Sequence, residues 1–461
     1  MSHLVILVLA SAALLALPAA RAADTPALPA PPPATAAVYR ALAGETEANL
    51  QKQVLALWFP RAVDPVGGFY QNYSEDWGRG SGNPKAIVYQ ARLTWLAAQE
   101  AQRNPAQKTA YGGYAKHGLD FLAAKMWDAQ GGGFYWELGD DGKPTRSGEK
   151  HLYGNAFAIY ALSGVYEATK DPRALDLAKQ AYAWLNAHAY DAKHGGYYEA
   201  LTREGTPILA PMADGSTNDE IGTRYGCKTM NSHIHLLEAL SALYQVWPDK
   251  GLHSRLEEMF TLVRDKVAVE QVGCLNYIFL PDWTPLPNYD SYGHDIETAF
   301  LMVEASTALG RPDDVRTWAL ARRLVDHTLD FGEDKVNGGI YDSGPVYSNA
   351  PSAPDKVWWV QAEALNALLL MHTHFGAEDP RYWAAFNRQW GFIQKRQIDY
   401  RAGGWYPTVQ EMKDNILHCV LQQVQLSPHS APNVDGMSAR DTYCRGLIKS
   451  PPILFFAKPT M

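Results

Sequence analysis

The chain has 461 residues, 47% of them hydrophobic and 20% charged, with a formal net charge of −8. That apolar content excludes global disorder, and the length suits one large domain or two to three ordinary ones. The charge is mildly negative and no basic stripe occurs, so nucleic acid is not an expected partner.

From the N-terminus, Leu4 to Leu17 form an apolar run too short to span a bilayer comfortably. Small residues at Ala20 and Ala22 offer a cleavage site before Ala23, so residues 1–22 read as a signal peptide. Residues 23–38 are a Pro/Ala-rich leader. The expected mature protein is exported, periplasmic in a Gram-negative source, and without a membrane span. Four cysteines, Cys227, Cys274, Cys419 and Cys444, form no C-x-x-C pair. Disulfides and free buried thiols both remain open.

A short pattern then recurs: GGFY at 67–70, GGFYWE at 132–137, GGYYE at 195–199, GGIYD at 338–342 and GGWYP at 403–407. The second glycines are 65, 63, 143 and 65 residues apart, and GCLNYIF from Gly273 reads as a degraded copy inside the long gap. Between the copies, apolar residues recur at helical spacing, as in Tyr153–Lys170, Ser232–Trp247 and Trp358–Phe375. Two helices per unit and six units predict an all-α (α/α)6 toroid over 39–410, with glycine hairpins at one rim. The last unit is incomplete, and 411–461 is a divergent tail.

Polar or aromatic residues recur some 20 residues after each second glycine, where inner helices should start. They are Arg92, Tyr153, His294 and Trp359, with His235 further on after a longer loop at 203–224. His235 and Glu238 form one H-x-x-E pair, and His294 and Glu297 form another. In such a pair the carboxylate accepts the far imidazole N–H, fixes the tautomer and raises the pKa. That arrangement suits proton transfer near neutral pH. Asn231 lies one turn before His235. Arg92 suits a sugar oxygen or an enediolate oxyanion. Trp358, Trp359, Gln361 and Glu363 are candidate sugar contacts, as are Trp283 and Tyr289 on a loop. Paired carboxylates across a funnel would favour glycoside hydrolysis, but this funnel offers histidines. A metal held by His235, His294 and their glutamates is a further reading, one that chelators would test.

The segments KTMNSHIHLLEAL, SYGHDIETAFL, WWVQAEA and YGNAFAIYAL, with the glycine repeats, resemble the N-acylglucosamine 2-epimerase superfamily, most of all its cellobiose (mannobiose) 2-epimerases. The similarity covers about residues 40–410. It implies an (α/α)6 barrel acting on a reducing-end aldose without an added cofactor, as a monomer or homodimer. By position, His294 matches the acid/base histidine and Glu297 its partner. His235 matches the ring-opening histidine, with Asn231 and Tyr153 nearby, and Arg92 the arginine at the reacting oxygens. Trp358 and Trp359 fall in the sugar-contacting tryptophan motif, beside Gln361 and Glu363. The implied chemistry opens the sugar and removes the C2 proton. Return to C2 gives an epimer, and return to C1 gives a ketose. The sequence departs from the pattern at its end. A second acid/base histidine is due at 424–428, which reads Val-Gln-Leu-Ser-Pro. A frame shift near 410 accounts for the abrupt change and predicts little epimerase activity for the chain as written. An aldose–ketose isomerase, or a catalytically inactive sugar-binding homologue, is the alternative.

Overall fold

A pair of glycines opens each hairpin, and backbone geometry requires the second of them. Gly133 has φ +73°, and a Cβ there would stand 2.8 Å from the Trp184 ring. At Gly68, φ +70°, a Cβ would come 2.6 Å from Oε1 of Gln90. The computed structural model describes residues 30–286, 289–345 and 355–409. The expected signal peptide, residues 23–29 of the leader, the tail 411–461 with Cys419 and Cys444, and the missing-histidine positions 424–428 lie outside the described residues.

The outer helices are α1 (Ala36–Asn49, completed by the short α2, Ala56–Trp58), α4 (Lys108–Phe121), α6 (Pro172–His188), α8 (Lys250–Leu262), α10 (Val315–His327) and α12 (Arg381–Phe392). The inner helices are α3 (Ile87–Arg103), α5 (Leu152–Thr169), α7 (Met230–Val246), α9 (Tyr292–Ala308) and α11 (Trp358–Phe375). The described residues thus hold five inner and six outer long helices, arranged as an (α/α)6 barrel. Three of the outer helices start at aspartate caps: Asp171 accepts the Arg173 N–H, Asp249 the Gly251 and Leu252 N–H groups, and Asp314 the Thr317 N–H. Pro172 fits the first helical position, where its missing N–H costs nothing. α1 begins inside the expected leader because Thr35 caps it, accepting the Val38 N–H at 3.3 Å.

The inner helices pack in sequence order, α3 on α5, α5 on α7, α7 on α9 and α9 on α11, each also against the outer helix that follows it. Buried residues surround the inner helices on nearly every side, as expected of elements walled by neighbours. α1 reaches both ends of the chain's ring. Gln51, just beyond it, donates to Glu100 of α3 at 2.8 Å, and Trp390 of α12 donates to Glu45 at 2.8 Å. Two-residue antiparallel ladders stitch one rim: Lys85–Ala86 with Glu137–Leu138, Lys150–His151 with Ala200–Leu201, and Lys356–Val357 with Thr408–Val409.

The degraded fourth copy has a register one residue away from the expected one. Ala268 pairs with Leu275 as Trp127 pairs with Phe134. Cys274, not Gly273, therefore holds the place of the second glycine, and it is absent from the positive-φ residues. Cys227 and Cys274 are free and buried.

Candidate functional site

Four of the five inner helices, α3, α5, α7 and α11, carry an amide or imidazole that clamps the hairpin before it. Gln90 accepts the Phe69 N–H at 2.8 Å and donates to the Phe69 carbonyl at 2.8 Å. Asn155 accepts from Phe134, His233 Nε2 accepts from Tyr197, and Gln361 accepts from Ile340 while donating to its carbonyl at 2.7 Å. Gln361 is fully buried. Its amide is spent on backbone, so the expectation of a sugar contact at Gln361 is corrected. Trp358 packs in the hydrophobic core, and Trp283 caps Gly195 through its indole N–H and stands edge-on to His233, so neither faces the funnel as expected.

Two residues beyond each clamp the helix has turned by about 200°, and the side chain there faces the centre. Arg92, Phe157, His235, Glu297 and Glu363 form that upper tier. One turn deeper stand Trp95, Tyr160, Glu238, Phe300 and Asn366. Together they line a cavity of about 620 Å³, part of it open to solvent, with Glu304 also in its wall.

His235 Nδ1 lies 3.0 Å from Glu238 Oε2, so this H-x-x-E pair is made as expected. The other is not. Nδ1 of His294 meets the Ser291 hydroxyl at 2.7 Å. Glu297 points instead toward His235, its Oε1 3.8 Å from Nε2. The reason is local: Ser291 occupies the N-cap of α9 but makes no cap bond, which leaves its hydroxyl for the imidazole. His294 Nε2 faces Asn231 Oδ1 at 3.3 Å. The Trp359 ring lies 4.7 Å from the His294 ring and Tyr277 5.6 Å, edge-on. Tyr153 and Phe157 flank His235 at 5.3 and 4.8 Å. The Arg92 guanidinium sits 4.2 Å from the Phe157 ring, and its buried Nε has no hydrogen-bond partner among the described residues.

Burial reverses the expected charge of the histidines. His294 is pushed down to about 3, by burial first and then by repulsion from His235. His235 is also lowered, because burial outweighs the Glu238 carboxylate. Both imidazoles are neutral at pH 7. The carboxyls move the other way. Burial, Glu363 and Glu238 raise Glu297 well above the usual range, opposed by Arg92. Glu363 is raised to about 8 by burial and then Glu238, and Glu304 to about 8 by the same causes.

The structure thus places Arg92, His235, Glu238, Glu297 and Glu363 in the cavity wall, sets Tyr153 against His235 and groups His294 with Asn231 and Trp359, and leaves Gln361 and Trp358 out. It adds Ser291, Phe157 and Glu304, which the spacing rule alone did not single out. Ser291 was findable as the residue three before His294 at a helix start.

Residues 68–421 match the family model described as N-acylglucosamine 2-epimerase (GlcNAc 2-epimerase). A cellobiose 2-epimerase of Bacteroides fragilis is 29% identical over 364 residues, covering 78% of this chain and 89% of that protein. A D-mannose isomerase of Marinomonas mediterranea is 25% identical, covering 79% of this chain and 89% of that protein. The solved cellobiose 2-epimerase of Spirochaeta thermophila superposes with a TM-score of 0.72 at 31% identity, covering 82% of this chain and 91% of that one. The family match spans most of the chain, so the protein belongs to the N-acylglucosamine 2-epimerase family and is a carbohydrate epimerase/isomerase.

Proposed function

We propose that the protein acts at C2 of a reducing-end aldose, free or the end unit of a β-linked disaccharide, by histidine proton transfer through an enediolate. The observation that carries this reading is a pair of neutral imidazoles beside one arginine: His235 lines the cavity with Arg92, and His294 stands close enough to His235 to be repelled by it, against Asn231 and Trp359. A neutral imidazole is ready to accept a proton, and a well-placed one is worth about 10²–10⁴ in rate. His235, oriented by Glu238, serves ring opening. His294 removes the C2 proton through Nε2, next to Asn231. Ser291 differs from a carboxylate partner in one useful way: a hydroxyl both donates and accepts. It can follow either tautomer of His294 as the proton is taken and returned. Arg92 holds the oxygens on which negative charge develops, and Trp359 offers a ring face to the sugar.

Aldose–ketose isomerisation is the second reading, favoured by the similarity to a D-mannose isomerase. It differs only in where the proton returns. Incubation with cellobiose, mannobiose, glucose and mannose in heavy water, followed by NMR, separates the outcomes. Deuterium at C2 of a new aldose marks epimerisation, and deuterium at C1 of a ketose marks isomerisation. Positions 424–428 supply no second histidine, so the chain as written should exchange the C2 proton while forming little epimer. Restoring the reading frame near 410 should raise turnover. Sugars that keep their C2 protons with both forms of the chain would sink the proposal. Export of the protein through residues 1–22 belongs to the same reading, and fractionation of cells expressing the full chain checks it.

A further inference from the structure

The fourth unit departs from the repeat at four places at once. In four other units a lysine two residues before the inner helix is buried against an aspartate of the preceding hairpin. Lys85 meets Asp64 at 2.8 Å, Lys150 meets Asp128 at 3.1 Å, Lys228 meets Asp191 at 2.8 Å and Lys356 meets Asp334 at 2.5 Å. Their ammonium groups also bond hairpin carbonyls, as Lys85 does to Phe69 and Lys228 to Gly195. In the fourth unit the lysine is replaced by Asp290 and the hairpin aspartate by Val269. The second glycine is replaced by Cys274, and the amide or imidazole clamp by Asp295. An ion pair and a neutral clamp have given way to a valine and two carboxylates.

His327, the last residue of α10, completes the group. Its Nε2 lies 2.8 Å from Asp290 Oδ2. One ligand atom each from Asp290, Asp295 and His327 lies within 4.8 Å of the others. Asp290 and Asp295 are fully buried and His327 is 4% exposed. Oδ1 of Asp290 has no hydrogen-bond partner among the described residues, and the Asp295 carboxyl faces Asp290 and the Leu275 N–H. Two buried carboxylates at this range require a proton or a cation between them.

We propose that Asp290, Asp295 and His327 form a site for one divalent cation of the zinc class, standing in for the lysine ammonium of the other units. Carboxylate oxygen and imidazole nitrogen are ordinary zinc donors, and three of them leave one tetrahedral position. The group holds no cysteine sulfur, so a water fills that position. The cation would tie α10 to the start of α9. Its ligands flank the proton-transfer residues directly: Asp290 precedes Ser291, and Asp295 follows His294. The site is structural, outside the funnel.

The test uses the purified full chain, stripped with EDTA and then titrated with zinc chloride. Calorimetry and elemental analysis should give one zinc per chain, with a rise in Tm on loading. Asp290→Asn and Asp295→Asn should each weaken zinc binding at least tenfold and abolish the rise in Tm. His327→Gln serves as an independent variant should an aspartate variant fail to fold, with near-ultraviolet circular dichroism reporting the fold. Substoichiometric zinc together with a more stable Asp295→Asn variant would overturn the proposal, since it is the signature of two carboxyls sharing a proton. Zinc bound equally by wild type and variants would overturn it too, by placing the ion elsewhere.

Discussion

The hydroxyl of Ser291 stands 2.7 Å from Nδ1 of His294, in the place where the sequence pattern puts the Glu297 carboxylate. Glu297 is directed to His235 instead. Ser291 is thus the positioning residue of His294, and the two H-x-x-E pairs are not equivalent. Ser291→Ala should lower kcat about five- to tenfold, the worth of about one hydrogen bond, with KM little changed. Ser291→Thr should restore most of it, while His294→Asn should cost about 10²–10⁴. Steady-state kinetics and C2 proton exchange on the frame-restored chain measure all three. A silent Ser291→Ala with an undiminished His294 pH profile would refute the assignment.

The funnel carboxyls give a prediction in the opposite sense to ordinary surface acids. Glu363 is raised to about 8 in the folded chain from the ordinary glutamate value of 4.5. Between those values the unfolded chain has lost the proton and the folded chain keeps it. Stability therefore falls as pH rises through this window. Glu363→Gln should flatten that fall, and it should remove a protonated-carboxyl C=O band in the infrared that wild type loses only above about pH 8. A Tm profile unchanged by the substitution, with no such band at pH 7, would contradict the assignment.

Gln361 and Trp359 sit two residues apart on α11 and should fail in different ways. Gln361→Ala leaves the Ile340 N–H and carbonyl without their partner. It should cost about 1–3 kcal/mol of stability, the penalty for buried unsatisfied polar groups, and leave KM unchanged. Trp359→Ala removes the ring beside His294, so it should raise KM for sugar with little loss of stability. Thermal unfolding and Michaelis kinetics on the two variants decide. A raised KM for Gln361→Ala would return it to the funnel.

That contrast marks how far the sequence could be read. The glycine spacing was legible because each copy needs the left-handed backbone, and only the fourth unit, where Cys274 avoids it, slipped by a residue. Arg92, His235 and Glu297 were legible because the clamps fix the phase of each helix. The same phase held information that spacing alone did not extract. Trp359 and Glu363 are four apart and share a face, whereas Gln361, about 200° from each, faces the hairpin. The partner of His294 was not legible, because an i, i+3 spacing permits contact but side-chain direction decides it. The charge state was not legible either, since it depends on burial against one arginine and several acids.

His233 offers the sharpest check on the clamp itself. Its Nε2 accepts the Tyr197 N–H at 3.0 Å, so Nδ1 carries the proton and donates to the Thr229 carbonyl at 2.7 Å. Burial pushes its pKa down to about 3 from the ordinary histidine value of 6.5. Above pH 6.5 folded and unfolded chains are both neutral at this position and its contribution is complete. As pH falls from 6.5 toward 3 the unfolded chain binds a proton that the folded chain refuses, and stability is lost. His233→Asn puts at this position the residue that clamps Phe134 from position 155. It should keep the hairpin and make the acid limb of the Tm profile shallower, without abolishing it, because His235 and His294 are lowered as well. His233→Ala should cost about 2–4 kcal/mol at neutral pH, from an orphaned N–H and a cavity. Parallel acid limbs for wild type and His233→Asn would show that this histidine takes up its proton in the folded chain, and the clamp would then have to hold with a charged ring.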